Sequence, residues 1–308
     1  MLSHQHVVVI GGGTMGTDIA AIFAAGGYAV DMVQRPGKTR ESLGRRLAAS
    51  IEQLRGGSGA VVEYDEPSQL PWDRAGLVIE SINEDLAAKQ QLFARLEALA
   101  PPDIPITSNS SSFPISQIAA GLKTARRMLG LHFFMPAHLV PLVEVVLSES
   151  TDPAVAEAVS ALMEKLGRKT VTVKRDIPGF LANRLQHALM REAWSLIDRG
   201  IATPEDVDVA VRFGFGFRYV VAGPVLQKEH SGLDVTLAAS TIVFPDLCND
   251  PVPAKVLRDK VATGEIGMKS GKGFRKWTPE QIVAEKRRYQ LALRKAVEIL
   301  EDERPEAS

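Results

Sequence analysis

The chain has 308 residues, 45% of them hydrophobic and 24% charged, enough for a substantial core and for two domains. Its 36 lysines and arginines against 37 aspartates and glutamates leave a formal net charge of -1, which argues against the broad basic footprint that nucleic acid requires. No apolar run reaches the roughly 20 residues of a membrane span, the N-terminus lacks a leader-like pattern and predicts a cytoplasmic protein, and the single Cys248 excludes an intramolecular disulfide and a cysteine metal cluster.

The first element is the most informative. Val7-Val8-Val9-Ile10 reads as a buried strand that runs straight into Gly11-x-Gly13-x-x-Gly16 and then into a helix. That context suits a pyrophosphate: Gly11 turns the chain sharply, Gly13 lets the backbone approach phosphates, and Gly16 lets the helix pack on the strand. The helix N-terminus adds unpaired N–H groups and a partial positive charge. With Thr14 and Met15 inside the turn, the segment predicts a dinucleotide cofactor, NAD or NADP.

Further strands are expected at residues 29–33, 77–80, 104–108, 128–132, 142–147 and 169–174, alternating with helical patterns such as 86–99. This is the rhythm of a mostly parallel sheet covered on both faces. Between the second and third of these runs stand Gly37 to Arg40, a helix with Arg45 and Arg46, and a loop from Gly56 to Gly59. The arginines read better as a solvated face than as phosphate ligands. From Asp176 the rhythm changes to a long helical pattern at 179–199, a helix opened by Thr203-Pro204-Glu205-Asp206 in the manner that capping prefers, and an amphipathic stretch from Thr278 to Arg304. The expected architecture is an α/β Rossmann-type domain over 1–175, followed by an all-α domain over 176–308.

A second cluster of polar residues interrupts this apolar frame: Thr107 to Ser112, His132 at the end of a strand, Glu144 inside one, and Asn183 at a helix start. Singly, each has a structural reading as a core histidine, a paired core acid or a turn and helix cap. A pair of His132 and Glu144 removes the objection to burying either, because the carboxylate fixes the imidazole tautomer and leaves the other nitrogen to exchange a proton with a hydroxyl. No spacing among His4, His6, His138, His187 and His230 gathers metal ligands, so no metal is predicted.

In motif order and spacing, residues 5 to 277 resemble the L-3-hydroxyacyl-CoA dehydrogenase family, including its branch that oxidises free 3-hydroxy acids. The stretch Gly267-Met268-Lys269-Ser270-Gly271-Lys272-Gly273-Phe274 resembles that family's C-terminal glycine-rich signature. The resemblance implies Ser111, His132, Glu144 and Asn183 as the catalytic set, in a cleft between the domains, and Glu84, Lys89 and Asn109 near the cofactor. It implies a place in fatty acid metabolism and a homodimer formed through the helical domain. It leaves open a non-catalytic, crystallin-like or cofactor-binding relative, and a dehydrogenase for a ring alcohol or aldehyde acid without coenzyme A.

Three departures bear on cofactor and substrate. Where the family carries the acid that binds the adenosine ribose, this chain has Gln34 followed by Arg35, which removes repulsion of a 2′-phosphate and offers it a cation. Asp31 belongs to the opposite face of the strand and does not replace that acid. Met135 stands where the family usually has an asparagine, and a thioether cannot supply its hydrogen bonds. The stretch from Gln34 to Leu77 is shorter than the family's lysine-rich excursion that holds coenzyme A. Within Phe213 to Pro224, Arg218 is a candidate to bind a substrate carboxylate in two-point fashion, its alternative being a surface or interface arginine.

Overall fold

An eight-stranded sheet with the order β3-β2-β1-β4-β5-β6-β7-β8 organises the first of two compact units, Met1–Arg184, in a computed structural model that describes residues 6–54, 56–57 and 59–302. His4, Ser58 and Arg304 lie outside the described residues. The strands are β1 (His6–Ile10), β2 (Ala29–Val33), β3 (Val61–Tyr64), β4 (Leu77–Glu80), β5 (Ile106–Ser108), β6 (Met128–Phe133), β7 (Leu142–Val146) and β8 (Lys169–Val173). All neighbours run parallel except β6 and β7, which are antiparallel.

Seven of the eight strands coincide with the expected runs to within a few residues: six are largely buried apolar segments, and β8, partly exposed, is marked by its alternating Lys169-Thr170-Val171-Thr172-Val173 pattern. β3 was not expected. It is an edge strand of four residues, Val61-Val62-Glu63-Tyr64, whose middle is exposed, so it carries no apolar run to mark it. Its place is fixed by pairing with β2, Val33 against Tyr64.

The helices that cover the sheet are α1 (Thr14–Ala25), α2 (Lys38–Glu41), α3 (Leu43–Leu54), α4 (Leu86–Leu99), α5 (Ile115–Ile118) and α6 (Pro153–Lys165). Period-two alternation sends neighbouring strand residues to opposite cores. Val7 and Val9 join Ile19, Phe23 and Met32 on the α1 side, whereas Val8 and Ile10 join Phe93 and Leu96 of α4. Each large side chain so buried contributes about 1.5–3 kcal/mol. Local sequence sets the helix starts: Asp85 accepts the Ala88 N–H at α4, and Asp152 accepts that of Ala154 at α6, where Pro153 takes the first helical position.

α7 (Ala182–Asp198) follows Gly179 and Phe180, both in left-handed backbone (φ 76° and 50°). The second unit, Leu185–Ser308, is helical, with α8 (Pro204–Ala210), α9 (Gly216–Arg218), α10 (Pro224–Ser231), α11 (Leu233–Val243), α12 (Lys255–Ala262) and α13 (Pro279–Asp302). Thr203 and Asp206 form a reciprocal capping box at α8. Among the described residues, no helix is long and apolar enough to cross a membrane and no cluster of three His, Cys, Asp or Glu side chains could hold a metal.

Candidate active site

The glycine turn joins β1 to α1 and forms one wall of a cleft of about 620 Å³, lined also by Gln34, Arg35, Ser81 and Ile82. Its geometry leaves no room for side chains. Gly11 has φ 110°, and a Cβ there would lie 2.4 Å from the Ser81 carbonyl oxygen; one on Gly16 would lie 1.7 Å from the Gly11 carbonyl oxygen. Gly13, by contrast, meets nothing within 4 Å, so its backbone is open to an approaching phosphate. Thr14, exposed, and Met15, half-buried, begin α1. These residues fit a dinucleotide pyrophosphate at a helix N-terminus.

Arg46 of α3 secures this turn from its other side. Its guanidinium donates to the carbonyls of Gly12 (2.7 Å) and Gly13 (3.2 Å) and to the Thr17 hydroxyl (2.7 Å). The expectation of a solvated face therefore holds for exposed Arg45 but not for Arg46, because α3 packs along α1 with the Arg46 face, not the Arg45 face, toward the loop.

At the end of β4 a buried ion pair anchors the next part of the site. Lys89 Nζ is 2.7 Å from Glu80 Oε1, and both side chains are almost fully excluded from solvent. Glu80 also accepts from the Ile82 N–H (2.7 Å) and the Ser108 hydroxyl (2.6 Å), which satisfies its remaining oxygen. Lys89 reaches Glu84 at 3.7 Å. Glu84 in turn accepts from the Ser110 hydroxyl (2.8 Å) and the Ser111 N–H (2.6 Å). Asn109 ties β5 to its neighbours, accepting the Phe133 N–H at 2.9 Å and donating to Ser81. Glu80 was not singled out from sequence, although an acid ending an apolar strand nine residues before a lysine is a readable signal.

His132 and Glu144 are register partners across the antiparallel β6–β7 pair. His132 Nδ1 donates to Glu144 Oε2 at 2.7 Å, and His132 Nε2 lies 3.0 Å from the Ser111 hydroxyl oxygen. The Glu144 carboxylate is fully buried and its second oxygen accepts the N–H groups of Leu181 (3.0 Å) and Ala182 (2.7 Å) at the start of α7. Burial alone raises the Glu144 carboxyl, but the His132 hydrogen bond, the two N–H donors and the His132 charge outweigh it and hold the group below the ordinary carboxylate range. Phe134 and Phe180 pack edge-on against the imidazole, at 4.5 and 5.5 Å between ring centroids.

One connected network thus runs from Lys89 through Glu84, Ser111 and His132 to Glu144 and the first turn of α7. Half-buried Asn183 directly follows Ala182 on that turn. Gln34 is folded onto the glycine turn, its Oε1 accepting the Gly12 N–H and its Nε2 donating to the Arg35 carbonyl. Asp31 is buried and pairs with His6 and Arg74. Arg218 belongs to the second unit, where it ends α9 and is exposed.

The family model for the 3-hydroxyacyl-CoA dehydrogenase NAD binding domain matches residues 6–177, and that for the C-terminal domain matches residues 179–277. The chain is 32% identical to 5-formyl-3-hydroxy-2-methylpyridine 4-carboxylate 5-dehydrogenase of Mesorhizobium japonicum, over 96% of this chain and 98% of that one. It is 33% identical to a probable 3-hydroxybutyryl-CoA dehydrogenase of Bacillus subtilis, over 88% and 96%. A solved structure of a 5-formyl-3-hydroxy-2-methylpyridine 4-carboxylic acid 5-dehydrogenase, described as an NAD+ dependent dismutase, superposes with a TM-score of 0.90 at 32% identity, covering 97% of this chain and 99% of that one. With both family models in order along the chain and a nucleotide cradle and histidine–glutamate dyad beneath them, the chain belongs to the 3-hydroxyacyl-CoA dehydrogenase family of NAD(P)-dependent oxidoreductases.

Proposed function

We propose that this dehydrogenase interconverts a small hydroxy acid, or a ring aldehyde acid, and its oxidised form without coenzyme A, using His132 as the proton-transfer group. The observation that carries the choice of substrate class is the end-to-end likeness, TM-score 0.90, to the structure of a dehydrogenase that acts on a pyridine carboxylic acid. The short segment between β2 and β4, whose described residues form α2, α3, β3 and two single 3-10 turns where the family places its lysine-rich excursion, supports the same reading.

A nicotinamide cofactor, when bound, would supply the two-electron hydride acceptor. In the oxidative direction, the hydroxyl O–H bond breaks toward His132 Nε2 as the C–H bond gives up a hydride, and a C=O bond forms; for an aldehyde acid the hydroxyl is one of the two on its hydrate, formed by addition of a solvent water, and the product is the carboxylic acid. His132 Nε2 is the free base because Nδ1 is committed to Glu144. Glu144 is a positioning residue that balances the imidazolium charge. Ser111 and Asn183 donate to the substrate oxygen, where negative charge collects during reduction. Gly11, Gly13, Thr14, Met15 and Gly16 would hold the pyrophosphate, Gln34 and Arg35 would meet the adenosine ribose, and Glu84, Lys89 and Asn109 would shape the nicotinamide end. Arg218 is a candidate to bind a substrate carboxylate, and the working form is a cytoplasmic homodimer.

A 3-hydroxyacyl-CoA is the second reading, favoured by the match to both family models. Cofactor oxidation with acetoacetyl-CoA, free 3-oxo acids and aromatic aldehyde carboxylates separates the two. Turnover of free acids or ring aldehydes alone supports the proposal, rapid turnover of the thioester replaces it with the second reading, and no turnover of any removes both.

A further inference from the structure

The wall of the nucleotide cleft at the ends of β2 and β3 has an uneven charge balance. Its acids are already matched: Arg40 binds both Asp65 and Glu63, and Arg95 binds Glu66 at 2.9 Å. Gln34, which stands where an acid would accept the ribose hydroxyls, has both ends of its amide committed to backbone groups of Gly12 and Arg35. Arg35 lines the same cleft, is exposed, and has no side-chain partner among the described residues. Thr39 lies beside it on the lining.

From this arrangement we infer that the chain selects the 2′-phosphorylated dinucleotide, with Arg35 as the residue that holds the 2′-phosphate. A monoanionic or dianionic phosphate at that point meets a planar, unpaired guanidinium and no uncompensated carboxylate. The unphosphorylated ribose, by contrast, finds neither the carboxylate that usually accepts its two hydroxyls nor a free amide in its place. The inference rests on the dinucleotide reading of the cleft and is independent of which substrate is oxidised.

Equilibrium binding tests it without turnover. The full-length protein is titrated by calorimetry with NADPH, NADH, adenosine 2′,5′-bisphosphate and adenosine 5′-monophosphate. NADPH is expected to bind about tenfold or more tightly than NADH, with the bisphosphate similarly ahead of the monophosphate, as one charge-assisted contact predicts. Arg35→Ala should abolish that difference by weakening NADPH and leaving NADH within about twofold. Raising salt should weaken NADPH more steeply than NADH in the unaltered protein, a readout that needs no variant. Equal or tighter binding of NADH by the unaltered protein overturns the inference, as does an Arg35→Ala variant that weakens both dinucleotides equally. Loss of all dehydrogenase turnover with the binding preference intact would leave this inference standing and remove the substrate proposal.

Discussion

Lys89 and Glu80 meet at 2.7 Å with neither side chain appreciably exposed to solvent, so the β4–α4 side of the site is built on a charge pair held inside the protein. Removing one partner leaves the other charge buried and uncompensated. Lys89→Met should therefore destabilise the fold by about 3–5 kcal/mol, whereas Lys89→Met combined with Glu80→Leu should recover much of that loss. Urea unfolding of the single and double variants measures the difference, and an additive pair would show that the two groups do not act together.

The dyad predicts a separation of chemistry from binding. His132→Gln should lower kcat by about 10² to 10⁴ with little change in dinucleotide affinity. Ser111→Ala and Asn183→Ala should each lower kcat by about 10² to 10³ if they donate to the reacting oxygen. Stopped-flow rates beside calorimetric dissociation constants check both statements, and near-normal turnover in His132→Gln would remove the assignment.

Glu144 also links stability to pH. Its carboxyl is held below the ordinary range in the folded protein, so its stabilising contribution is fully present above the unfolded value of about 4.3 and is lost as pH falls through the lower, folded value. The stability gap between the unaltered protein and Glu144→Gln should be constant from neutral pH down to the carboxylate range and should narrow below it. Denaturant unfolding at stepped acidic pH reads that gap directly. A gap that widened on acidification would contradict the sign.

Arg46 holds the glycine turn through two carbonyls and a hydroxyl. Arg46→Ala should raise the dissociation constant of either dinucleotide by about tenfold, at the low end of what charged hydrogen bonds contribute because the group is partly exposed. The loss should be equal for NADH and NADPH, unlike the selective loss expected at Arg35. Titration of both dinucleotides distinguishes a residue that shapes the turn from one that reads the ribose.

Gly16→Ala places a Cβ 1.7 Å from the Gly11 carbonyl oxygen, a backbone atom that cannot step aside. The turn must open, and dinucleotide binding should fall below detection while the helical second unit keeps its circular dichroism signal. Unchanged affinity would mean that the strand and helix separate without cost.

Much of this protein was legible from local pattern. Short apolar runs marked seven strands, Gly11-x-Gly13-x-x-Gly16 marked the nucleotide turn, and Thr203-Pro204 marked the start of α8, because these depend on residue identity within one or two turns of chain. The sequence by itself also suggested a pairing of His132 with Glu144, since buried-type polar residues in apolar strands require partners, whereas Ser111 and Asn183 were singled out by the family resemblance. Only the tertiary structure decided which partners they have. The antiparallel turn-back of β7 sets Glu144 opposite His132, the packing of α3 on α1 carries Arg46 to the glycine carbonyls, and edge pairing with β2 creates β3 and brings the Tyr64 carbonyl to the Gln34 N–H. Each of these contacts joins residues distant in sequence, and such contacts are fixed by sheet register and helix packing, which no local pattern encodes.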